Sequence, residues 1–332
     1  MLRILLLSLG TFFVVLSCVW GGMALWFQLP WPVPGRVALV TVWAGLVAVL
    51  IWLLWTGHYG IGVVGYAVLF ALLMLWWGRL EPSHEREWAD DLAYITQGEI
   101  SGEQAILRNV RNFHWRTAED YDVRWESRSY DLSALRSVDL ITSEWGMPGI
   151  AHILVSFGFD DGEFITFTVE IRREREETFS AIGGFFKQFE LNVLASDERD
   201  AVRVRTNVRG EDAHIYRIEM PEEAMRALFV AYVDEANQLA AEPRFYHTVT
   251  ANCTIIVYKM MEQIVDGLPM DARLLLSAYL PSYIQHVGGL VDAPLDVLKD
   301  RGHFTERAKK AGDDPDFSRI IRRGVPGWEA MR

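Results

Sequence analysis

The sequence predicts an α+β domain that follows three membrane-spanning helices at the N-terminus. Residues 1–81 contain only four charged side chains, whereas the rest of the 332-residue chain has the mixed composition of a water-exposed domain. Within that second part, strand-like segments come first and helical segments follow, and no internal repeat interrupts the order. One cysteine in this part, Cys253, stands at the start of a helical segment.

The distribution of charge excludes several classes of protein. The formal net charge is −12, and the residues after 81 carry a net of −14, so a nucleic-acid binder, which needs a basic face, is excluded. The apolar first quarter of the chain excludes a simple soluble globular protein. The large polar remainder excludes a polytopic transporter that lacks a large water-exposed part. Two cysteines, Cys18 and Cys253, do not make a disulfide framework. We therefore expect two domains, a membrane domain over residues 1–80 and a second domain over residues 81–332.

Three apolar stretches match the roughly 20 helical residues that a bilayer requires. They run from Ile4 to about Leu29, over 37–55 and over 61–77. Prolines at positions 30, 32 and 34 end the first stretch, and tryptophans cluster near the ends, as in interfacial belts. A cleaved signal peptide is the alternative for the first stretch, but its apolar core is too long. A lipoprotein signal ending at Cys18 is a further alternative, which the continuing apolar run disfavours.

The orientation of the helices follows only weakly from charge. Arg3 places the N-terminus inside, but Arg36 and Arg79 both fall on the opposite side. If Arg3 sets the orientation, the N-terminus is cytoplasmic, and three membrane crossings place residues 80–332 outside the cytoplasm.

The second domain begins with strands and ends with helices. A hairpin is predicted from strands over 150–159 and 164–172, because an Asp-Gly pair stands between two β-rich runs. Further strands are predicted at 190–194, 201–208 and 214–219. Helices are predicted at 222–240, where Pro221 occupies the first turn, from Asn252 or Cys253 through 265, and at 271–283.

Cys253 is the candidate nucleophile. A thiol at a helix N-terminus meets unpaired backbone N–H groups and the positive end of the helix dipole, and both lower its pKa. The same N–H groups can hold an oxyanion. The alternative is a buried, inert cysteine, which is the usual fate of a lone cysteine.

Two of the eight histidines are the main candidates for a general base. His247 precedes Cys253 by six residues, and His152 lies inside a predicted strand. With a three-residue hairpin loop, 160–162, His152 falls opposite Glu170 on one face of the sheet. A two-residue loop would place Glu170 on the other face. Position alone slightly favours a structural, hydrogen-bonded role for His152.

Several motifs occur in an order that resembles one family. They are Asn112-Phe113-His114-Trp115, Ser129-Tyr130-Asp131-Leu132, 136–140, Ala151-His152, 156–162, 169–172 and Asn252-Cys253-Thr254. Over about residues 105–290 the chain resembles the DUF4105 family, whose domain is similar to the Lnb-type bacterial lipoprotein N-acyltransferases. It departs from the family at His114-Trp115, where Arg-Tyr is common, and at His247, where Asn is common.

The resemblance implies an α+β fold with a permuted papain-like, NlpC/P60-related catalytic domain, in which the histidine strand precedes the cysteine helix. It implies that Cys253 takes an acyl chain from a phospholipid and passes it to the α-amine of a diacylated lipoprotein's N-terminal cysteine. His152 would be the base and Glu170 its orienting acid. Asn252 and Thr254 would orient the nucleophile or hold the oxyanion.

The resemblance also implies a bacterial inner-membrane protein with a periplasmic catalytic domain. Arg172 and Arg173 lie next to Glu170 and are candidates for contacts with a lipid phosphate, or are solvated surface arginines. No metal-ligand spacing or nucleotide-binding motif is present, so no cofactor or metal is expected, and a monomer is expected. The alternative functions are a membrane-anchored Cys/His hydrolase of cell-wall peptides or lipid esters, and a non-enzymatic membrane protein.

Overall fold

The computed structural model describes residues 1–328, which form two compact units. The first comprises Met1–His84 together with the segment Ser180–Phe189, and the second comprises Glu85–Phe179 and the residues from Glu190 on. The segment 180–189 therefore belongs with the N-terminal helices, although the chain reaches it from the second unit.

The first unit contains three long helices, α1 (Leu2–Gln28), α2 (Val33–Trp55) and α3 (Tyr59–Gly78). Each is long and apolar enough to cross a membrane, as predicted. Gly21 allows α1 to approach its neighbours closely, because a Cβ atom there would lie 2.6 Å from Trp43. The indole N–H of Trp43 donates to the Cys18 carbonyl at 2.9 Å. Close packing at small residues and a hydrogen bond between helices are both typical of membrane bundles.

The second unit is built on a mixed β-sheet. The strands are β1 (Gln97–Ser101), β2 (Gln104–Arg111), β3 (His114–Trp115), β4 (Tyr121–Asp122), β5 (Trp125–Asp131), β6 (Leu135–Glu144), β7 (His152–Phe159), β8 (Phe164–Arg172), β9 (Glu190–Asp197) and β10 (Asp212–Arg217). The main sheet has the order β1-β2-β9-β8-β7-β6-β10, with β5 paired to β2, while β3 and β4 form a separate pair. Its pairings are antiparallel except that β2 and β9 are parallel.

The hairpin of β7 and β8 has the three-residue loop that places His152 opposite Glu170. Ser156 pairs with Thr166, and the Phe159 N–H donates to the Glu163 carbonyl at 2.9 Å. Gly162 closes the loop with φ +89°, a value that glycine adopts without strain. The same register extended along the hairpin brings residue 152 to residue 170.

Helices cover both faces of the sheet. They are α4 (Glu198–Ala201), α5 (Glu222–Ala241), α6 (Cys253–Glu262), α7 (Leu280–His286), α8 (Leu295–Gly302), α9 (Thr305–Ala311) and α10 (Phe317–Ile321). On one face, Ile153, Val155 and Phe157 pack in the main core with α5, α6 and α7. On the other, Ile141 and Leu154 pack with α9 and α10. The predicted α+β class is thus confirmed.

Two predicted elements were wrong. The expected strand over 201–208 is helical, with α4 followed by a π-helix over Val204–Val208. The Asp197 side chain accepts from the Arg199 N–H and caps α4, a local signal that overrides the β-branched residues. The expected helix over 271–283 is broken into 3-10 turns, Ala272–Leu275 and Ser277–Tyr279, before α7 begins.

Candidate active site

Cys253 is the first residue of α6, and Asn252 caps that helix. The Asn252 side-chain oxygen accepts from the N–H groups of Thr254 at 3.0 Å and Ile255 at 2.8 Å. Its amide nitrogen donates to the Thr248 carbonyl at 2.7 Å, which ties the cap to the preceding turn. Asn252 therefore fixes the place where the chain enters the helix, and it leaves the Cys253 N–H free of a helical partner.

The Cys253 thiol is partly buried and reaches the backbone of β7. Burial raises the pKa of Cys253, although hydrogen bonds from the Ile153 backbone and from Thr254 lower it. The nearby Glu170 charge raises it further. The lowered pKa expected from the helix N-terminus is therefore wrong for this resting structure, because desolvation outweighs the N–H groups. The thiol lies against the residue that directly follows His152.

His152 is held at one ring nitrogen by its neighbours on β8. Its Nε2 lies 2.6 Å from the Thr168 hydroxyl and 3.1 Å from the Glu170 carboxylate. Within residues 1–328 no group hydrogen-bonds to Nδ1 of this ring. A proton on Nε2, shared with the acid, would leave the Nδ1 lone pair free to accept another.

Glu170 is partly buried between His152 and the cationic side chain of Arg205. Arg205 Nη2 donates to its carboxylate at 2.9 Å, on the same oxygen that faces His152. Burial alone would raise the pKa of Glu170, but His152, Arg205 and Arg111 together lower it well below its usual range. The carboxylate is therefore charged at neutral pH and suited to stabilise an imidazolium.

The histidine and the cysteine approach the same end of β7 from different faces of the sheet. Strand alternation directs His152 to the face of Leu154, whereas Cys253 packs against the core that contains Ile153. Among the described residues no hydrogen bond joins the Cys253 sulfur to His152. The structure thus brings His152 to Glu170, and Cys253 to the backbone beside His152, without a direct contact between thiol and imidazole.

His247 has a structural task in the turn before the nucleophile. Its Nδ1 accepts from the N–H groups of Val249 at 3.3 Å and Thr250 at 3.2 Å. Its backbone also exchanges hydrogen bonds with Ala251. These bonds shape the turn that delivers Asn252 and Cys253 to the helix.

The two arginines after Glu170 are engaged within the domain. Arg172 is 5% exposed and donates to the carbonyls of Leu92 and Ala93, and its guanidinium lies 4.3 Å from the Trp88 ring centroid. Arg173 is partly exposed and pairs with Asp91 at 3.0 Å. A lipid phosphate could reach Arg173 more readily than Arg172.

Sequence reasoning missed Arg205, and it placed Thr168 on the sheet face of His152 and Glu170 without giving it a role; both complete the surroundings of these two residues. Arg205 lies in the π-helix, a segment for which the sequence predicted a strand. Thr168 stands two residues before Glu170 on β8, so strand alternation alone was a usable signal for it.

One group of residues at the edge strand β10 has the chemistry of a metal site. Ligand atoms of Asp212, His214 and His303 lie within 4.8 Å of one another. In the structure Asp212 is already hydrogen-bonded to His303 at 2.5 Å. Asp212 and His214 lie on β10 and His303 directly follows α8, so none of them is on β7 with His152, and the absence of a cofactor stays a prediction.

Comparison with known proteins supports one part of the resemblance. Residues 121–278, a little under half of the chain, match the family described as the Lnb N-terminal periplasmic domain. No curated protein and no solved structure matches the chain. With the three apolar helices, the match supports a membrane-anchored protein with a periplasmic domain, and this confirms the predicted localisation. The similarity to DUF4105 and the papain-like fold stay predictions.

Proposed function

We propose that this protein is a lipoprotein N-acyltransferase with Cys253 as its nucleophile. The acyl chain would come from a phospholipid, form a thioester with Cys253, and pass to the α-amine of a diacylated lipoprotein's N-terminal cysteine. The similarity to the Lnb periplasmic domain supports this class of protein. We further propose a permuted papain-like catalytic domain, since the His152 strand precedes the Cys253 helix in the chain.

The observation that carries the proposal is the position of Cys253 at the capped start of α6. The thiol lies against the Ile153 backbone, and the next residue back along β7 is His152, paired with Glu170 at 3.1 Å. A nucleophile, a histidine with one free ring nitrogen and a charged acid therefore meet at one end of the hairpin. This is the set of groups that acyl transfer through a covalent intermediate requires.

The first half-reaction makes the thioester. His152 Nδ1 takes the thiol proton, directly after a turn of the ring or through one water, and the sulfur attacks the ester carbonyl. We assign the tetrahedral oxyanion to the N–H groups of Cys253, at the start of α6, and of Ile153, whose backbone already contacts the thiol. The oxyanion collapses, the carbon–oxygen bond breaks, and His152 returns the proton to the departing lysophospholipid oxygen.

The second half-reaction resolves the thioester. The lipoprotein amine attacks the thioester carbonyl, and His152 accepts a proton from the amine as the carbon–nitrogen bond forms. The carbon–sulfur bond then breaks, and the proton restores the thiol. Glu170 stabilises the imidazolium in both halves through Nε2.

Apolar surface near the site favours a lipid substrate over a peptide. Ser277 accepts from the Ala151 N–H at 2.8 Å, which holds the segment of Leu276 and Tyr279 beside the start of β7. Leu276 is 45% and Tyr279 49% exposed, and Val249 is exposed in the turn before Cys253. An acyl chain would cover such surface, whereas a polar peptide would not.

Intact mass spectrometry of the full-length protein with phospholipid tests the proposal. We expect one acyl adduct on the wild type and on Cys18→Ser, and none on Cys253→Ala. Adding a diacylated lipopeptide should discharge the adduct and yield a triacylated peptide. Discharge to free fatty acid with no acylated peptide would establish the hydrolase instead. No adduct on any variant, with full acylation activity in Cys253→Ala, would overturn the mechanism.

A further inference from the structure

Three side chains that can ligate a metal meet where the edge strand β10 contacts the segment between α8 and α9. Asp212 and His214 alternate along β10, so their side chains lie on one face of the strand. His303 directly follows α8, and its backbone forms a β-bridge with His214. One ligand atom from each of the three residues lies within 4.8 Å of the other two. Asp212 and His303 are 91 residues apart in the chain, so no sequence motif reports their meeting.

The backbone on both sides of His303 is fixed against β10. Gly302 lies directly on the strand, because a Cβ atom there would come within 2.4 Å of the Ile215 carbonyl oxygen. On the other side, Phe304 is fully buried, and its N–H donates to the Ala213 carbonyl at 3.1 Å. The position of the His303 ring beside β10 is therefore set by its chain neighbours, before any ion binds.

His214 is a buried histidine that lacks a hydrogen-bond partner. The residue is 5% exposed, and its Nδ1 atom is buried and unpaired. Within residues 1–328 no hydrogen bond reaches its other ring nitrogen either. Burial lowers the pKa of His214 to about 4, against the opposing charge of Asp212, so the ring is neutral at pH 7 and keeps a lone pair. A buried polar group without a partner is costly, and a metal ion bound to the ring would supply one.

The other two ligands are accessible to solvent and are hydrogen-bonded to each other. His303 Nε2 lies 2.5 Å from Asp212 Oδ1, and the side chains are 41% and 58% exposed. In its other tautomer, the His303 ring presents a lone pair at Nε2 to the same place. The Thr305 hydroxyl donates to the same Asp212 oxygen at 3.1 Å and orients the carboxylate, as the partners of metal ligands commonly do. An ion can therefore enter from the solvent side and take the place of the shared proton.

Two imidazoles and one carboxylate form a ligand set that suits zinc and related divalent transition ions, whereas calcium and magnesium prefer oxygen ligands alone. We propose that Asp212, His214 and His303 bind Zn²⁺, with the fourth position open to water. The ion joins β10 to the junction of α8 and α9, and it stabilises the folded domain because the unfolded chain does not bring the three ligands together. Among the described residues, none of the three is hydrogen-bonded to Cys253 or His152. The site therefore stands whether or not the acyl transfer does.

Zinc titration of the full-length, detergent-solubilised chain tests the site. The protein carries no polyhistidine tag, is first treated with a chelator, and has the background Cys18→Ser and Cys253→Ala, so that no thiol competes for the metal. We expect calorimetry to show one equivalent of bound Zn²⁺, and the Tm to rise with Zn²⁺ concentration. Asp212→Asn and His303→Gln should each weaken binding at least about 10-fold and abolish the rise in Tm. Co²⁺ in place of Zn²⁺ should give the visible absorption of a four-coordinate site, and both variants should lose it.

Matched controls exchange the same residue types at exposed positions elsewhere in the domain. Asp296→Asn, on α8, and His286→Gln, on α7, should bind Zn²⁺ as the background protein does. Circular dichroism without metal verifies the fold of each variant, and either ligand variant suffices if the other fails to fold. The proposal would be overturned if the background protein bound no Zn²⁺ to saturation, or if the ligand and control variants bound it equally well.

Discussion

Glu170 has two partners on one carboxylate oxygen, His152 and the cationic Arg205, and this determines how its charge is used. The oxygen that faces His152 Nε2 at 3.1 Å also accepts from Arg205 at 2.9 Å. Arg205 is itself buried and donates to the Ala201 carbonyl at 2.7 Å, so it cannot move away without loss. The arginine keeps the acid ionised and in place, while the acid fixes the ring of His152.

Glu170→Gln should keep the fold but lose most of the activity. An amide cannot stabilise the imidazolium, and removal of a triad acid costs up to about 10⁴-fold in rate. The rate of lipopeptide acylation measures the effect, with Glu163→Gln, at the far, loop end of the same hairpin, as the matched control. An unchanged acylation rate would remove Glu170 from the mechanism.

The ionised Glu170 should also make the stability of the folded protein depend on pH, because its pKa in the folded state is lowered. The stabilisation by the Glu170 carboxylate is present above the ordinary glutamate pKa of about 4.3, and it is lost as pH falls through the lower pKa of the folded state.

The resting Cys253 thiol should alkylate slowly at neutral pH. Burial and the Glu170 charge raise its pKa, so the alkylation rate should rise only above the ordinary cysteine value of about 8.5. Cys18→Ser protein limits the reporter to one thiol, and iodoacetamide kinetics across pH give the profile. His152→Ala should alter acyl transfer strongly and this profile only slightly, since no hydrogen bond joins the two groups at rest. If the alkylation rate of the wild type levelled off below pH 7 and that of His152→Ala did not, the resting enzyme would contain a Cys253–His152 ion pair. If only His247→Ala shifted the profile, His247 would be the base.

At the scale of elements, the hairpin was predictable because its signal is local. Asp161-Gly162 between two β-rich runs fixes both strands, and the register then follows from the loop length. The 201–208 segment was harder to predict, because besides the local cap by Asp197 it depends on tertiary contacts of Asp200 in α4. Its carboxylate accepts from Arg111 at 2.9 Å and from the Trp115 indole at 2.7 Å, and sequence periodicity does not report such partners.

The cap of α6 is an element-scale test of how the nucleophile is positioned. Asn252→Ala removes the acceptor for the Thr254 and Ile255 N–H groups and should cost about 1 kcal/mol of stability. It should also lower the rate of thioester formation, because the entry of the chain into α6 is no longer fixed. Asn252→Ser can still cap and should restore most of the stability, which urea unfolding measures. Equal stability of the Ala and Ser variants would contradict the capping role.

The C-terminal helix α10 is fastened to the sheet by one buried arginine. Arg322 is 2% exposed and binds Glu198 at 2.7 Å and Asp139 at 2.9 Å. Arg322→Met leaves both carboxylates buried without their partner and should destabilise the domain by about 3–5 kcal/mol. Its exposed neighbour provides the matched control, Arg323→Met, which should change the free energy of unfolding little. Similar unfolding free energies for the two variants would show that α10 is not held by this network.

At the scale of the whole molecule, the sequence predicted the class of each part better than their connection. Composition separates the apolar helices from the polar domain at residue 81. It did not reveal that Ser180–Phe189 packs with the helices, because Phe186 and Lys187 are ordinary residues in sequence and acquire their role only through tertiary contacts. The site shows the same limit. Cys253 and His152 could be identified from their local sequence, whereas Arg205 could not.

The helices should matter for activity because both proposed substrates are confined to the membrane. A tethered domain meets them at a high effective concentration, whereas residues 80–332 alone must find them from solution. We expect the truncated chain to form the thioester with a soluble short-chain ester but to act poorly on vesicles. Removing the helices also exposes Phe186, so Phe186→Ser in the truncated chain should reduce its aggregation. If tethering is the main role of the helices, an unrelated single-pass anchor fused to the truncated chain should restore much of its activity on vesicles. If the truncated chain without any anchor were as active on vesicles as the full-length chain, the helices would serve another purpose.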